Sequence, residues 1–199
     1  MSNKELIRLI DAYLTKEEYD VLQELLYPIG TTPEELYKHR GGVRDIKIDK
    51  KGHVVYLDLS FHNLETLPPA IAKLSKLKVL KIPYGRLKEL PSEIGLLSEL
   101  RSLDLYENQL TYLPEAICNL TSLRSLNIAN NYITSLPTCM IDLPNLKQLF
   151  LNSPPYQPYL IHLGIDSTKY MKICLSYNNL DETSRKLVKE LKKKGVRVF

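Results

Sequence analysis

The sequence has no long hydrophobic run, which excludes one large class of proteins. No run of about 18 consecutive apolar residues occurs, so we expect no membrane-spanning helix. Residues 1–18, MSNKELIRLIDAYLTKEE, carry charges throughout and lack the apolar centre of a secretory signal peptide. At 199 residues with 44% hydrophobic content, the chain is long enough for one domain with a proper core.

The sequence also lacks the motifs of common enzyme classes. It contains no G-x-x-x-x-G-K-[ST], no G-x-G-x-x-G, no H-E-x-x-H and no G-x-S-x-G. Cys174 has Lys172 nearby, but no histidine is placed to activate it as a nucleophile. The histidines are scattered, without the spacing of metal ligands: His39, His53, His62 and His162. We therefore predict a protein that is not an enzyme, with no cofactor and no metal site.

Leucine, in contrast, recurs at a fixed period of 23 residues, at Leu77, Leu100, Leu123 and Leu146. The string at 100–122, LRSLDLYENQLTYLPEAICNLTS, reads L-x-x-L-x-L-x-x-N-x-L-x-x-L-P-x-x-I-x-x-L-x-x. A strict period of this length on this pattern predicts a leucine-rich-repeat solenoid. The copies occupy 54–76, 77–99, 100–122 and 123–145, followed by a degraded copy at 146–169 and half a copy at 170–180.

Each copy combines a strand with a return turn. The L-x-L segment alternates inward leucines with outward variable residues, and successive strands stack in parallel about 4.8 Å apart. The asparagine ends the strand, where its side chain bonds backbone groups that a tight bend leaves unpaired. The proline then opens a short helical or 3₁₀ turn on the convex side. The predicted fold class is α/β: a curved parallel sheet of six strand segments, closed by a cap at each end.

The predicted N-terminal cap is residues 1–42, because a solenoid exposes its leucine core at each end unless the end is covered. Residues 2–14 have apolar residues at helical spacing, and capping boxes at 15–18 and 32–35 open two further helices. Residues 43–59 read as a hairpin that leads into the first copy. Docking of a partner on these helices is the alternative to capping.

The predicted repeat array is residues 43–180, and residues 181–199 form the C-terminal cap. Asp181 is the expected N-cap of a helix over 182–194, which ends at Gly195 and leads into a final strand, VRVF. That strand closes the chain in our prediction.

The fifth copy departs from the pattern at SPPYQPY, residues 153–159, where Tyr156 and Tyr159 stand in leucine positions. Its consecutive prolines favour extended geometry. The segment either protrudes as a binding feature or marks the end of the array.

The three cysteines, Cys118, Cys139 and Cys174, are too few for the paired-cysteine caps usual in extracellular leucine-rich repeats. Cys118 and Cys139 lie on neighbouring convex turns but at different repeat positions. We therefore expect free, mostly buried thiols in a reducing compartment, and a cytoplasmic protein.

The L-x-x-L-P-x-x-I-x-x-L return resembles the intracellular repeats of Ras-pathway scaffolds and of plant Ras-group-related repeat proteins. The resemblance covers roughly residues 43–180. It implies a non-enzymatic signalling scaffold that binds a protein through its concave face, with a small GTPase as one kind of partner. Members of the family have this binding fold in common and do not have a reaction in common.

The outward strand residues form the candidate partner site, because aromatic side chains on a concave surface are typical of interface hot spots. Two alternatives remain open. Asp58, Lys81 and Asp104 would satisfy one another across the sheet, at about 0.2–1 kcal/mol per pair, and Phe150 would be covered by the C-terminal cap. The candidate residues are Tyr56, Asp58, Lys81, Tyr84, Asp104, Tyr106, Asn127 and Phe150.

Basic residues are concentrated in two places. One column near the start of the strands consists of Lys78, Arg101, Arg124 and Lys147. Residues 181–199 contain Arg185, Lys186, Lys189, Lys192, Lys193, Lys194 and Arg197 against three acids, so this tail is +4, equal to the net charge of the chain. The alternative function is thus a peripheral binder of nucleic acid or acidic membrane. The ordinary interpretations are a solvated edge and cations that offset a helix dipole, and nucleic acid is disfavoured because no aromatic residues are interleaved.

Overall fold

The computed structural model describes residues 14–26, 45–151 and 179–199. Several predicted features lie outside these residues: most of the first N-terminal helix, the capping box at 32–35, the SPPYQPY segment and Cys174.

Seven strands in the described part of the chain form one sheet in sequence order. The first two, β1 (Asp45–Ile48) and β2 (Val54–Asp58), pair antiparallel as the predicted hairpin. Parallel strands then follow at the predicted period: β3 (Val79–Lys81), β4 (Ser102–Asp104), β5 (Ser125–Asn127) and β6 (Gln148–Phe150). The register aligns the central leucines of all five copies, which confirms the columns read from the sequence: Leu57, Leu80, Leu103, Leu126 and Leu149.

The last strand forms within the predicted segment 196–199, but its place in the sheet differs from the prediction. We expected residues 170–180 to supply the strand beside β6, but β7 (Arg197–Val198) pairs there in parallel, with Gln148 opposite Arg197. The Leu151 N–H also donates to the Phe199 carbonyl at 2.9 Å. A strand has two edges, and β5 already occupies the other edge of β6. The expected neighbours of Phe150 in the half-copy are therefore wrong.

Short 3₁₀ helices return the chain between the strands: η1 (Pro69–Lys73), η2 (Ser92–Leu96), η3 (Glu115–Asn119) and η4 (Thr138–Asp142). Each follows a proline with φ between −67° and −53°, which is the conformation that the pyrrolidine ring imposes. Each helix also buries one large apolar residue: Ile71, Ile94, Ile117 and Met140. Strands and turns thus enclose a single apolar core, in which Leu103 and Leu126 are buried as predicted, at 1% and 0% exposure.

Buried asparagines link consecutive copies. The Asn131 amide donates to the carbonyls of Leu105 at 2.9 Å and Ile128 at 3.1 Å, and its oxygen accepts from the Leu110 N–H at 3.0 Å. Asn108 forms the equivalent bonds one copy earlier, which confirms the predicted role of this position. Each side chain satisfies backbone groups that the bend leaves unpaired.

The 3₁₀ helices stack with an offset, and this overturns the prediction of free thiols. Cys118 of η3 and Cys139 of η4 form a disulfide with a sequence separation of 21 and Cα atoms 5.9 Å apart. The offset recurs one copy earlier, where a Cβ added to Gly95 would lie 2.5 Å from the Ala116 carbonyl oxygen. The different repeat positions of Cys118 and Cys139 therefore did not exclude a disulfide, because neighbouring turns contact each other with a shift of two residues.

Helix α1 (Lys16–Leu26) packs on the first copy through Val21, Leu22 and Leu25, which belong to the same core. The Glu18 N–H donates to Thr15 Oγ1 at 3.4 Å, as the capping box predicts. The reciprocal bond is absent from the described residues: the Glu18 carboxylate instead accepts from the Val54 N–H of β2 at 3.0 Å. The capping acid therefore anchors the helix to the sheet.

Helix α2 (Glu182–Lys193) closes the other end, with Leu187 and Leu191 buried. The Ser184 N–H donates to Asp181 Oδ1 at 2.7 Å, which confirms Asp181 as the N-cap. Gly195 has a φ of 86°, so it ends the helix in the left-handed conformation that glycine tolerates.

Candidate functional site

Four non-glycine residues with positive φ follow the ends of β2, β3, β4 and β5. They occupy one repeat position: Phe61 (65°), Tyr84 (58°), Glu107 (53°) and Asn130 (56°). This conformation costs an L-residue roughly 1–2 kcal/mol, and only asparagine among these four visits it easily. Bulky residues therefore adopt a strained backbone conformation in a line just beyond the carboxyl ends of the strands.

Aromatic rings stack along this line. The Phe61 and Tyr84 ring centroids are 4.5 Å apart with planes at 7°, and Tyr106 meets Tyr84 edge-on at 5.3 Å. Asn130 Nδ2 donates to the Tyr106 hydroxyl at 3.0 Å. Phe61 and Tyr84 are 39% and 43% exposed, so this aromatic cluster of Phe61, Tyr84 and Tyr106 presents a solvent-facing apolar surface. Phe61 was not among the predicted site residues, because its place in the stack depends on a positive φ that the repeat pattern did not reveal.

The Asp58, Asp104 and Asn127 column has a structural role that the sequence interpretation missed. Each side-chain oxygen accepts the backbone N–H two residues ahead: Ser60 to Asp58 at 2.9 Å, Tyr106 to Asp104 at 3.1 Å and Ala129 to Asn127 at 3.2 Å. These are Asx turns, in which a short side chain caps the end of the strand. Lys81 breaks the column where Pro83 follows, and proline has no N–H to cap.

Lys81 lies between Asp58 and Asp104 in the register, yet it forms no direct ion pair with either carboxylate among the contacts of the described residues. Its Nζ lies 5.6 Å from the Tyr56 ring centroid, and Lys47 Nζ lies 5.0 Å from the same centroid. Partial burial acts to lower the pKa of Lys81, but Tyr56 and the two carboxylates outweigh it and raise the pKa. Lys81 thus attracts the carboxylates of Asp58 and Asp104 at longer range, while its ammonium lies near the Tyr56 ring.

Burial raises the pKa of the Asp104 carboxyl above its ordinary value, although the Tyr106 N–H and the Lys81 charge act in the opposite direction. Burial, with the charges of Glu107 and Asp104, also raises the pKa of the Tyr84 hydroxyl, which therefore stays protonated and able to donate a hydrogen bond. The carboxylates of Asp104 and Glu107 therefore lie close enough to the Tyr84 hydroxyl to affect its pKa.

Phe150 lies opposite Asn127 in the register and is not part of the aromatic cluster. Its ring stacks on Phe199 at a centroid distance of 4.6 Å, beside the β6–β7 pair. This contact agrees with the alternative that the C-terminal cap covers Phe150. The structure therefore brings together two groups of candidates, one around Tyr56 and Lys81 and one around Tyr84 and Tyr106.

A family model described as leucine rich repeat matches residues 75–133 and 99–153 of this chain. Residues 75–153 of this chain are leucine-rich repeats. Among solved structures, the LRR ectodomain of the receptor kinase SOBIR1 from Arabidopsis thaliana is 25% identical, with a TM-score of 0.54, covering 69% of this chain and 79% of that one. Comparison with curated protein sequences gives no match.

An LRR protein of Leptospira interrogans is also 25% identical, with a TM-score of 0.48 over 69% of this chain. The present leucine-rich-repeat chain covers 34% of the length of that protein.

The basic tail of this leucine-rich-repeat protein is partly paired. Lys186 and Lys193 bind Glu182 and Glu190 at 2.9 and 2.7 Å, and Lys194 Nζ donates to the Ile141 carbonyl at 2.8 Å. Lys192 and Lys193 lie in the last turn of α2, where cations favour the helix dipole. These contacts agree with the ordinary interpretation of the tail.

One group in the described residues has the composition of a metal site: Glu115, Cys118 and Cys139. Both sulfur atoms are in the disulfide, so they offer no thiolate ligands in this state. No helix in the described ranges is long and apolar enough to cross a membrane.

Proposed function

We propose that this leucine-rich-repeat protein is a non-enzymatic module that binds a protein partner through the concave face of its sheet. Leucine-rich-repeat domains generally mediate protein–protein interaction, because stacked repeats create extended binding surfaces. The proposal places the anchor at the aromatic cluster and includes Tyr56, Asp58, Lys81, Asp104 and Asn127 beside it.

The observation that carries the proposal is the exposed, strained stack of Phe61 and Tyr84. Strained backbone conformations in bulky residues persist only where the surrounding structure holds them, and they concentrate at ligand-binding sites. Rigid aromatic side chains bury a large area and lose little rotamer entropy on binding. Carboxylates and a lysine around them supply the polar rim that such anchors usually have.

Affinity capture from lysate of the source cell, compared across variants, tests the anchor. The Phe61→Ala/Tyr84→Ala variant should lose a partner that the wild type holds, because truncation of hot-spot aromatics commonly costs about 2 kcal/mol or more, roughly thirtyfold in affinity. A matched control is Tyr112→Ala/Tyr132→Ala, which removes two tyrosines that are 46% and 50% exposed and lie outside the cluster. Circular dichroism first establishes equal folding of the baits.

A partner lost by the cluster variant and kept by the control supports the proposal. A partner set that is the same for both variants and the wild type contradicts it, and moves the site to the caps. A small GTPase among the lost partners would support the kind of partner that the repeat pattern implies.

The cytoplasmic location also belongs to the proposal, and it now rests on the repeat pattern. The disulfide removes the thiol argument for it, because structural disulfides are uncommon in reducing compartments.

A further inference from the structure

Four basic residues, Lys78, Arg101, Arg124 and Lys147, form one continuous row across the sheet, and Arg197 lies diagonally next to the last of them. The amides of Arg101, Arg124, Lys147 and Arg197 each donate to the carbonyl of the preceding one in this series at 2.8 Å, beginning at Lys78. Neighbouring members are therefore about one strand spacing apart, about 4.8 Å. Arg197 lies opposite Gln148, one register position beyond Lys147, so the pairing of β7 with β6 brings the basic tail next to this end of the row.

In the described residues, the acidic side chain that balances the charge of this row lies at its first end, near Lys78 and Arg101. Glu99 binds Lys76 Nζ at 2.7 Å. That hydrogen bond lowers the pKa of Glu99, and the charges of Lys78 and Arg101 lower it further. The equivalent positions in the next two copies are Ser122 and Asn145, which carry no charge. The acid that balances Lys78 and Arg101 thus has no counterpart beside the last three cations.

A cleft of about 660 Å³ opens at this uncompensated end. Its lining includes Arg124, Lys147, Lys194 and Arg197 and no acidic side chain. The Lys194 ammonium donates to the carbonyl of Ile141, a residue of the adjoining cavity, and the other three side chains form no ion pair with any described residue. Asp142 lines an adjoining cavity, where it forms no ion pair with Lys194.

We propose that this cleft binds a phosphate monoester group, carried by a phosphorylated serine or threonine of the protein partner. Four cationic residues around one cleft favour a multivalent anion, and a phosphate monoester carries about −1.5 to −2 charges at pH 7, whereas a carboxylate carries one. Two arginines supply planar, bidentate donors that match phosphate oxygens.

The position and size of the cleft favour a phosphorylated segment over a membrane or a nucleic acid. Its volume is in the range of about 300–1,000 Å³ that is typical of small-ligand sites. Gln148 and Arg197 also belong to the outward strand column that begins at Tyr56, so the cleft adjoins the proposed binding face. The inference rests on the proposed function for its choice of partner, but phosphate recognition is measurable without that partner.

Isothermal titration calorimetry on the full chain tests the site with a blocked Ala-phosphoserine-Ala tripeptide, its unphosphorylated form and inorganic phosphate. The Arg124→Gln/Arg197→Gln variant should weaken tripeptide binding at least about tenfold, since it removes two charge-assisted contacts. Lys78→Gln/Arg101→Gln is the matched control: it removes the same charge from the row, at the end that Glu99 compensates, and should change affinity less than about twofold. Thermal melts check that both variants fold like the wild type.

Equal losses in the two variants would show diffuse attraction and overturn the site. Equal binding of the two tripeptides would also overturn it. Inorganic phosphate that binds as tightly as the phosphorylated tripeptide would overturn the assignment to a partner side chain. So would cleft-dependent binding confined to vesicles of acidic lipid or to a single-stranded oligonucleotide. Loss of partner capture in the Phe61→Ala/Tyr84→Ala variant is independent of these results, so each proposal fails separately.

Discussion

At the scale of single residues, His62 is the clearest departure from the repeat. It occupies the asparagine position of the first copy and is 8% exposed, yet its Nε2 has no hydrogen-bond partner among the described residues. Asn108 and Asn131 at this position satisfy several backbone groups each. Burial without a partner lowers the pKa of His62, because the charged imidazolium is the form that desolvation disfavours.

This lowered pKa predicts a pH-dependent stability. A histidine is protonated more readily in the unfolded chain, with a pKa near 6.5, than at this buried site. Its contribution is therefore fully present above about pH 6.5 and is lost as pH falls from there towards the folded-state pKa. The free energy of unfolding of the wild type should fall relative to that of His62→Asn between about pH 7.5 and 5.5 in urea titrations. A difference that does not change with pH would contradict the assignment.

The sequence predicted the surroundings of a residue correctly where its side chain has only one possible environment. The inward leucines followed from period two alone, because an inward position has only the core to contact. The outward Asp58 and Asp104 did not, because each had two possible partners. The sequence interpretation left open pairing with Lys81 or contact with a protein partner, and it missed the backbone N–H two residues ahead, which is present unless proline occupies that position.

At the scale of elements, the sequence did not predict how neighbouring 3₁₀ helices stack. The strands align at the full period, but η2 meets η3, and η3 meets η4, two residues out of step. A one-dimensional repeat gives the spacing of copies and does not give the lateral shift between them. Gly95 carried a signal of this shift, since only a residue without Cβ fits against the Ala116 carbonyl.

The disulfide makes the element scale testable. Cys118→Ser/Cys139→Ser should lower the free energy of unfolding by about 2–4 kcal/mol under oxidising conditions, because the bond restricts the unfolded chain. Denaturant titrations with and without a dithiol reductant measure this, and reduction should bring the wild type to the level of the variant. Cys174→Ser is the control and should remain as sensitive to reductant as the wild type. A wild type that is indifferent to reductant would show that the bond does not form.

At the scale of the whole molecule, stability comes from the contacts between neighbouring copies. Strand, 3₁₀ helix and asparagine of one copy each bind the next, and both caps extend the same core. The sequence predicted this architecture because it depends on a periodic pattern. It predicted the final strand at 196–199 but not the pairing of that strand with β6, because this segment lies outside the period.

Leu103→Ala tests the coupling between copies. Leu103 lies in the central strand of the array and is buried, so its truncation should cost about 2–5 kcal/mol. Because each copy contacts only its neighbours, hydrogen exchange should accelerate most in β3, β4 and β5 and less towards the caps. A cost near zero would mean that the register of the columns is wrong, and uniform acceleration would mean that the array behaves as one cooperative block.

The pairing of β7 with β6 has a consequence for the timing of folding on the ribosome. The strands β2 to β6 arise in order, and each can add to its predecessor as it emerges. The free edge of β6 must instead wait for Arg197, roughly 47 residues after Phe150. At about 5–20 residues per second, this edge stays open for about 2–10 s of translation. During those seconds the nascent chain exposes an unpaired strand, the feature that most readily templates association with a second chain.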